Sequence, residues 1–505
     1  MLGDARRVSS IQHRASSLYM KQLITCTRVL APLERPHFAG TQIFARARKK
    51  VIGVLFLTGL TVVASCELTT STKPPAKSIG KADELTIFLT GNELGALKPC
   101  GCSGGQLGGL DRRSAVLNTV PKHKRLIVDT GSLVKSDSEQ DLLKFNMIIE
   151  AFKLLDYDLV RLSEEDIEIC KNLGLSGSIS SVLNIISSHG AAEANVPAKF
   201  TRRLSLKGEP VAVTVAAFDA NSAPIEQIEE LFAPHQERSA AGHAINILIL
   251  NHCDSAVIDS IAKNVPIIDC LVCPADSDEP SIIGDPNKRP LVLSVGRFGR
   301  YVGSLQISEA ARGKSKLQLS FRAIPVEENL EQQASLVRLY KDYQQLVRQS
   351  NLLEKYPRFR LANGLEYTGS DSCKFCHDYE YWKWRDAASR EPDSQAHADA
   401  YATLEQVGSQ FDPECVICHV VGMEYESGFV SEEKTGHLKN VGCENCHGPG
   451  SEHIRTLGTA KTTEPKSVCL DCHTPEASGD YAGNERAFLE KIIHWEEPNA
   501  PGNVK

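Results

Sequence analysis

Eight of the sixteen cysteines fall into four pairs of one spacing, Cys373/Cys376, Cys415/Cys418, Cys443/Cys446 and Cys469/Cys472, and a histidine follows each pair at once: His377, His419, His447 and His473. With 16 Cys and 15 His among 505 residues, chance supplies about 0.015 such motifs. Two thiols three positions apart share one helical turn and add to the vinyl groups of a haem as thioethers, while the adjacent imidazole reaches the iron. A zinc ribbon also pairs cysteines, but it leaves four histidines out of four unexplained. The pattern therefore predicts four covalently attached haem c groups, held by these eight cysteines, with His377, His419, His447 and His473 as proximal iron ligands.

An iron with both faces filled relays electrons, whereas one with an open face can bind a substrate. The same region offers four further imidazoles for four irons, His397, His437, His453 and His494, and one methionine, Met423. Met423 follows His419 by four residues, too short a chain to wrap to the far face of the same haem. His453 follows His447 by six and meets the same difficulty, so it is expected on a neighbouring haem. The arithmetic favours bis-histidine ligation, with these four histidines as candidate distal ligands. For any one of them the alternative is an ordinary surface or core imidazole.

From about Leu361 the strand-like runs vanish and the chain turns polar and loop-rich, as expected where haems supply most of the apolar core. Gly442-Cys-Glu-Asn-Cys-His-Gly-Pro-Gly-Ser-Glu-His453, with Ser394-Gln-Ala-His-Ala398 after the first motif and HLKNVG before the third, resembles the cytochrome c-554 family of tetrahaem cytochromes over about 130 residues. The resemblance implies closely stacked haem pairs with mostly bis-histidine irons, one of which can be five-coordinate, and electrons accepted from a partner oxidoreductase.

Between Glu84 and Pro325, aliphatic or β-branched runs (LTIFLT, RLIVDT, EPVAVTVAAF, INILIL, RPLVLSV) alternate with amphipathic stretches such as DLLKFNMIIEAFKLL, an α/β pattern. The ordered segments IFLTGNELGALKPCGCSGGQLGGLDRRSAVL, LIVDTGS, LLDYDLVRLSEEDI, ILILNHCD and RPLVLSVGRFGRYVGSLQI resemble the calcineurin-like metallophosphoesterases of the 5'-nucleotidase type. Such enzymes clamp a phosphate ester between two cations. Matched position by position, the family's Asp-x-His falls on Asn92-Glu93-Leu94, its Gly-Asp on Gly131-Ser132 and its Asn-His on Glu164-Glu165. Its Gly-His-x-His falls on Cys273-Pro274-Ala275-Asp276, and only His252 remains. No protein-bound divalent metal pair and no phosphoesterase activity are expected. Cys100-Gly-Cys102 and the spacing of Cys270 with Cys273 could hold a metal or a disulfide, or be buried small side chains, while Cys170 and Cys253 read as core.

Arg48-Lys-Lys50 before VIGVLFLTGLTVVAS reads as an export signal, too short for a membrane span. Val63-Ala-Ser-Cys66 resembles a bacterial lipobox, making Cys66 the acylated anchor. The expected organisation is a leader and lipoprotein-type signal (1–66), a Thr/Pro/Lys-rich tether (67–82) and a metallophosphoesterase-like α/β sandwich without its metal ligands (83–325). A helical linker (326–360) then leads to a mainly helical, loop-rich multihaem cytochrome c domain (361–498). A net charge of -7 and the lack of a basic, aromatic-interleaved stripe argue against nucleic acid.

The leading expectation is a lipid-anchored electron carrier, in the periplasm or on the cell surface, that works between redox partner proteins. A multihaem oxidoreductase of a small nitrogen or sulfur compound would need an open haem. A phosphoesterase fused to an electron carrier would need the missing metals.

Overall fold

The computed structural model describes residues 84–494 apart from 101–104, 176–178, 189–195, 237–242, 275, 310–316, 387–396, 466–467 and 476. The export signal and Cys66 expected near the N-terminus, and Cys102, lie outside the described residues.

Runs such as LTIFLT, buried at every position, can only be strands covered on both faces,. Two sheets result. The first, in the order β11-β10-β1-β2-β3-β4, is built from β1 (Leu85–Thr90), β2 (Arg125–Asp129), β3 (Leu159–Arg161), β4 (Ile185–Ile186), β10 (Tyr301–Ser308) and β11 (Gln318–Pro325). The second, in the order β5-β6-β7-β8-β9, contains β5 (Lys199–Leu206), β6 (Glu209–Phe218), β7 (His243–Leu250), β8 (Cys270–Cys273) and β9 (Leu291–Ser294). β1 to β4 run parallel, as do β6 to β9, while β10, β11 and β5 pair antiparallel at the margins.

Side chains alternate faces along a strand. Leu85, Ile87 and Leu89 of β1 therefore meet Val211, Val213 and Val215 of β6 between the sheets, while Phe218, Leu248 and Leu271 pack outward against Ile228, Phe232 and Ile261. Those last three come from α4 (Gln227–Gln236) and α5 (Ser255–Asn264); the first sheet's segment carries α1 (Leu110–Leu117), α2 (Glu139–Leu154) and α3 (Glu164–Asn172). A long helix, α6 (Ala334–Ser350), follows β11 and packs on α2. Beyond it the described residues form short helices, among them α7 (Asp378–Asp386), α8 (Ala400–Val407), α9 (Pro413–Val416), α10 (Cys443–His447), α11 (Ser451–Arg455) and α12 (Glu485–Ile492).

The same alternation corrects the cysteine reading. Cys270 and Cys273, three apart on β8, point to opposite faces, Cys270 into the layer between the sheets and Cys273 toward the helices,. Cys273 is instead disulfide-bonded to Cys253, which follows β7, and Cys270 remains a fully buried thiol whose pKa burial raises.

At the ends of β1 to β3, where the resembling enzymes hold two cations, the charges are internal. Arg113 of α1, wholly buried, forks onto Glu93 with bonds of 2.5 and 2.8 Å and donates to the Tyr157 hydroxyl at 2.9 Å. Thr90 donates to Asp129 at 2.7 Å, and Asp129 accepts from the Gly131 amide at 2.9 Å. Arg161, also buried, bonds to Asn251 and reaches the Thr130 carbonyl at 3.4 Å. A side chain at Gly131, which has φ +95, would strike the Arg161 carbonyl at 2.8 Å. Two guanidiniums thus flank Asp129, and among the described residues no group of three or more His, Cys, Asp or Glu could hold a metal ion. The residues do not fit a binuclear metal centre. Burial, followed by repulsion from Glu93, pushes the Asp129 carboxyl up to about 7.

Two measurements check this. Peptide mapping without reductant should recover the Cys253–Cys273 link and no Cys270–Cys273 link, and Cys253→Ser should lower stability by about 3 kcal/mol, the scale for a loop of this length. Because its folded pKa is raised, Asp129 contributes stability that is complete below about pH 3.9 and is lost as the pH rises through 7,. Thermal unfolding from pH 4 to 8 should show Asp129→Asn gaining on the wild type as the pH rises, up to a plateau on the order of a few kcal/mol.

Candidate functional site

Each Cys-x-x-Cys-His segment is placed by short-range bonds. In the first and fourth motifs the histidine amide closes a helical turn onto the first cysteine, His377 to the Cys373 carbonyl at 3.0 Å and His473 to Cys469 at 2.8 Å. Both thiols and the imidazole are thereby drawn to one side. The second motif begins on α9, where Asp412 caps the helix by accepting from the Glu414 amide at 3.0 Å,. The sandwich grips this cap: Gln140 of α2 donates to Asp412 at 2.7 Å, Tyr343 of α6 at 3.0 Å, and the nearly buried Lys144 pairs with Glu414 at 2.6 Å. The third motif forms α10, with the Asn445 side chain accepting from the Gly442 amide at 2.8 Å and donating to the Val420 carbonyl at 2.9 Å. Gln106 donates to the Ala477 carbonyl at 2.9 Å, fastening the segment after the fourth motif to the sandwich.

All eight motif cysteines and all four motif histidines line one chamber of about 3850 Å³, several-fold larger than the roughly 300–1,000 Å³ of a pocket for one small ligand. Into it face Phe375, Ile454, Leu457 and Leu489, of which Phe375 is 93% and Leu457 91% exposed to solvent. Side chains of this size turned into so large a space fit large apolar cofactors.

The spare histidines divide. His453 lies opposite His377 with ring centroids 6.1 Å apart, His397 opposite His473 at 6.3 Å, and His494 opposite His447 at 6.2 Å. Two metal–nitrogen bonds of about 2.0–2.1 Å, with the ring radius added on each side, make just this span. Each pair joins different motifs: His453 follows the third motif and faces the first, His494 follows the fourth and faces the third, and His397 follows the first and faces the fourth. His437 is exposed, lies against Gly369, and is not among the described residues lining the chamber. Met423 is 2% exposed within an apolar cluster with Tyr401, Leu404, Val416 and Phe429.

Several of these imidazoles are oriented by backbone carbonyls. Nδ1 meets the Ala400 carbonyl in His419, the Ala460 carbonyl in His453 at 2.8 Å and the Ile492 carbonyl in His494 at 2.8 Å. A carbonyl only accepts, so Nδ1 carries the proton and Nε2 keeps its lone pair for a metal. Burial, then repulsion from His473 and His419, holds the His397 imidazole down to about 4. Burial also lowers His419, His447 and His473. These rings are neutral at pH 7, the form that ligates iron. The donor set and the chamber both fit haem.

One buried group had no sequence signal of its own. Glu444, between the two cysteines of the third motif and 3% exposed, reads as a polar spacer in CENCH. In the structure it gathers the segment leading to the first motif.

Among solved structures, the 5'-nucleotidase precursor of Thermus thermophilus aligns with a TM-score of 0.41 at 14% identity, covering 60% of this chain and 68% of that one. The NAD nucleotidase of Haemophilus influenzae aligns with a TM-score of 0.40 at 14% identity, covering 57% and 64%. Over 97 residues, 18% of the chain, the sequence is 34% identical to cytochrome c-554 of Nitrosomonas europaea. The chain spans 41% of that relative's length. Residues 372–448 match the family described as cytochrome c554 and c-prime, and it is through this segment that the C-terminal region is similar to the c-type cytochromes of that family.

Proposed function

We propose that the chain is an exported electron-transfer protein carrying four covalently attached haem groups and passing electrons between redox partner proteins. The observation that carries this reading is the set of three imidazole pairs about 6 Å apart, each shared between two motifs. Haem c, when bound, supplies a one-electron ferric–ferrous couple. The chain's residues do the rest. The eight motif cysteines anchor four groups within one chamber, which keeps electron transfer short-range. His377 with His453, His397 with His473, and His447 with His494 would close both faces of three irons, leaving those faces no room for a substrate. His419 would serve as proximal ligand of the fourth, and no iron is assigned to His437.

Two histidine ligands without methionine favour potentials below those of Met/His cytochromes. The sandwich contributes grip rather than turnover, since Arg113 and Arg161 occupy the ground that metals would need. Export is supported by the Cys253–Cys273 disulfide, which forms and persists in oxidising compartments,. The reading includes a lipid anchor at Cys66, in the periplasm or at the cell surface.

Intact mass and a pyridine haemochrome assay should give four haems per chain, and each Cys→Ala pair within one motif should remove one. His397→Ala, His453→Ala and His494→Ala should each turn one low-spin haem high-spin, seen in the Soret and near-infrared bands. His437→Ala should leave the spectrum as it was. Fewer than four haems, or three silent histidine variants, would contradict the reading.

A further inference from the structure

We infer that Glu444 is a fixed negative charge that lowers the reduction potentials of the haems on the first and third motifs. This rests on the reading of those motifs as haem sites. The carboxylate is 3% exposed, and its partners are donors. The Thr368 amide reaches Oε1 and Oε2 at 3.0 Å each, the Gly369 amide reaches Oε2 at 2.7 Å, the Gly450 amide reaches Oε1 at 2.7 Å, and the Thr368 hydroxyl reaches Oε1 at 3.2 Å. An ionised carboxylate only accepts, and such a ring of N–H and O–H groups is matched to that form. Among the described residues no lysine, arginine or histidine forms an ion pair with it. Among the described residues, its hydrogen-bond partners are the neutral donors of Thr368, Gly369 and Gly450.

The place of that charge decides its effect. Glu444 lies on α10 between Cys443 and Cys446, and the amides it holds at Thr368 and Gly369 belong to the turn that enters the first motif at Cys373. The Ser370 hydroxyl, accepting from the Cys443 amide at 3.1 Å, joins the same two segments. A ferric centre carries one positive charge more than a ferrous one, so a buried anion beside it favours the oxidised state. The fold enforces the arrangement at Gly369, which has φ +83 and where a side chain would meet the His437 carbonyl at 2.9 Å.

The test is a spectroelectrochemical titration of the full haem-loaded chain with Glu444→Gln, Glu444→Asp and, as a control, Glu452→Gln at an exposed pair with Arg455. Glu444→Gln should move two of the haems to higher potential while haem content and low-spin bands stay those of the wild type. Glu444→Asp, which keeps the charge, and Glu452→Gln should leave the potentials near wild type. Unchanged potentials in Glu444→Gln, or equal shifts in Gln and Asp, would overturn the assignment. Loss of haem from the near-isosteric Gln variant would do so as well, since it would make the residue a structural clamp. Haem content and low-spin bands in the wild type report on the underlying reading, and the potentials report on Glu444.

Discussion

The C-terminal region is organised by three histidine pairs of one spacing, the width that an imidazole–iron–imidazole sandwich would need on the proposed reading. Three histidine pairs stand 6.1 to 6.3 Å apart, and the first, third and fourth motifs are tied by them into a closed cycle. The segment after each of these motifs faces the histidine of another. Apolar side chains alone would not hold such a region. Among the described residues its one extended apolar cluster is built around Tyr401, Leu404, Val416, Val420 and Phe429, while Phe375, Leu457 and Leu489 face open space. On the proposed reading, the enclosed haems would supply the order that self-packing does not, much as metals do in small metal-bound domains.

The second motif obeys a different constraint. Its helix is capped by Asp412, and that cap is held by Gln140, Tyr343 and the neighbouring Lys144–Glu414 pair, all rooted in helices of the sandwich. The sandwich thus has a structural task, holding the second motif in place. Beside Asp129 lie two buried guanidiniums, Arg113 forked onto Glu93 and Arg161 bonded to Asn251, while burial and Glu93 hold the Asp129 carboxyl up toward its protonated form. A buried pair of this kind is costly to break from one side, on the order of 3–5 kcal/mol. The cluster is thus retained as a unit even without a metal.

Much of this was legible in the residues. The α/β character followed from aliphatic runs too continuous for half-exposed strands, and the C-terminal segment from the Cys-x-x-Cys-His spacing. A count of spare imidazoles could be made from composition alone, but their assignment could not. Which histidine faces which motif depends on how segments 76 residues apart fold back, as with His377 and His453 or His397 and His473. The Cys253–Cys273 bond was hidden by a sequence-adjacent alternative, although the two-residue period of a strand already set Cys270 and Cys273 on opposite faces. Nothing in the sequence marks Arg113 and Arg161, because their burial arises only when the ends of three strands converge. Glu444 is likewise unmarked in the sequence, because Thr368 and Gly369 reach it only when the chain folds back over some 75 residues.

A crystal structure of the haem-loaded chain is the most direct test of the cross-ligated cycle. The account predicts three irons, one each between His377 and His453, His397 and His473, and His447 and His494. An iron bound by His447 together with His453, or by any two histidines of the same motif segment, would contradict it.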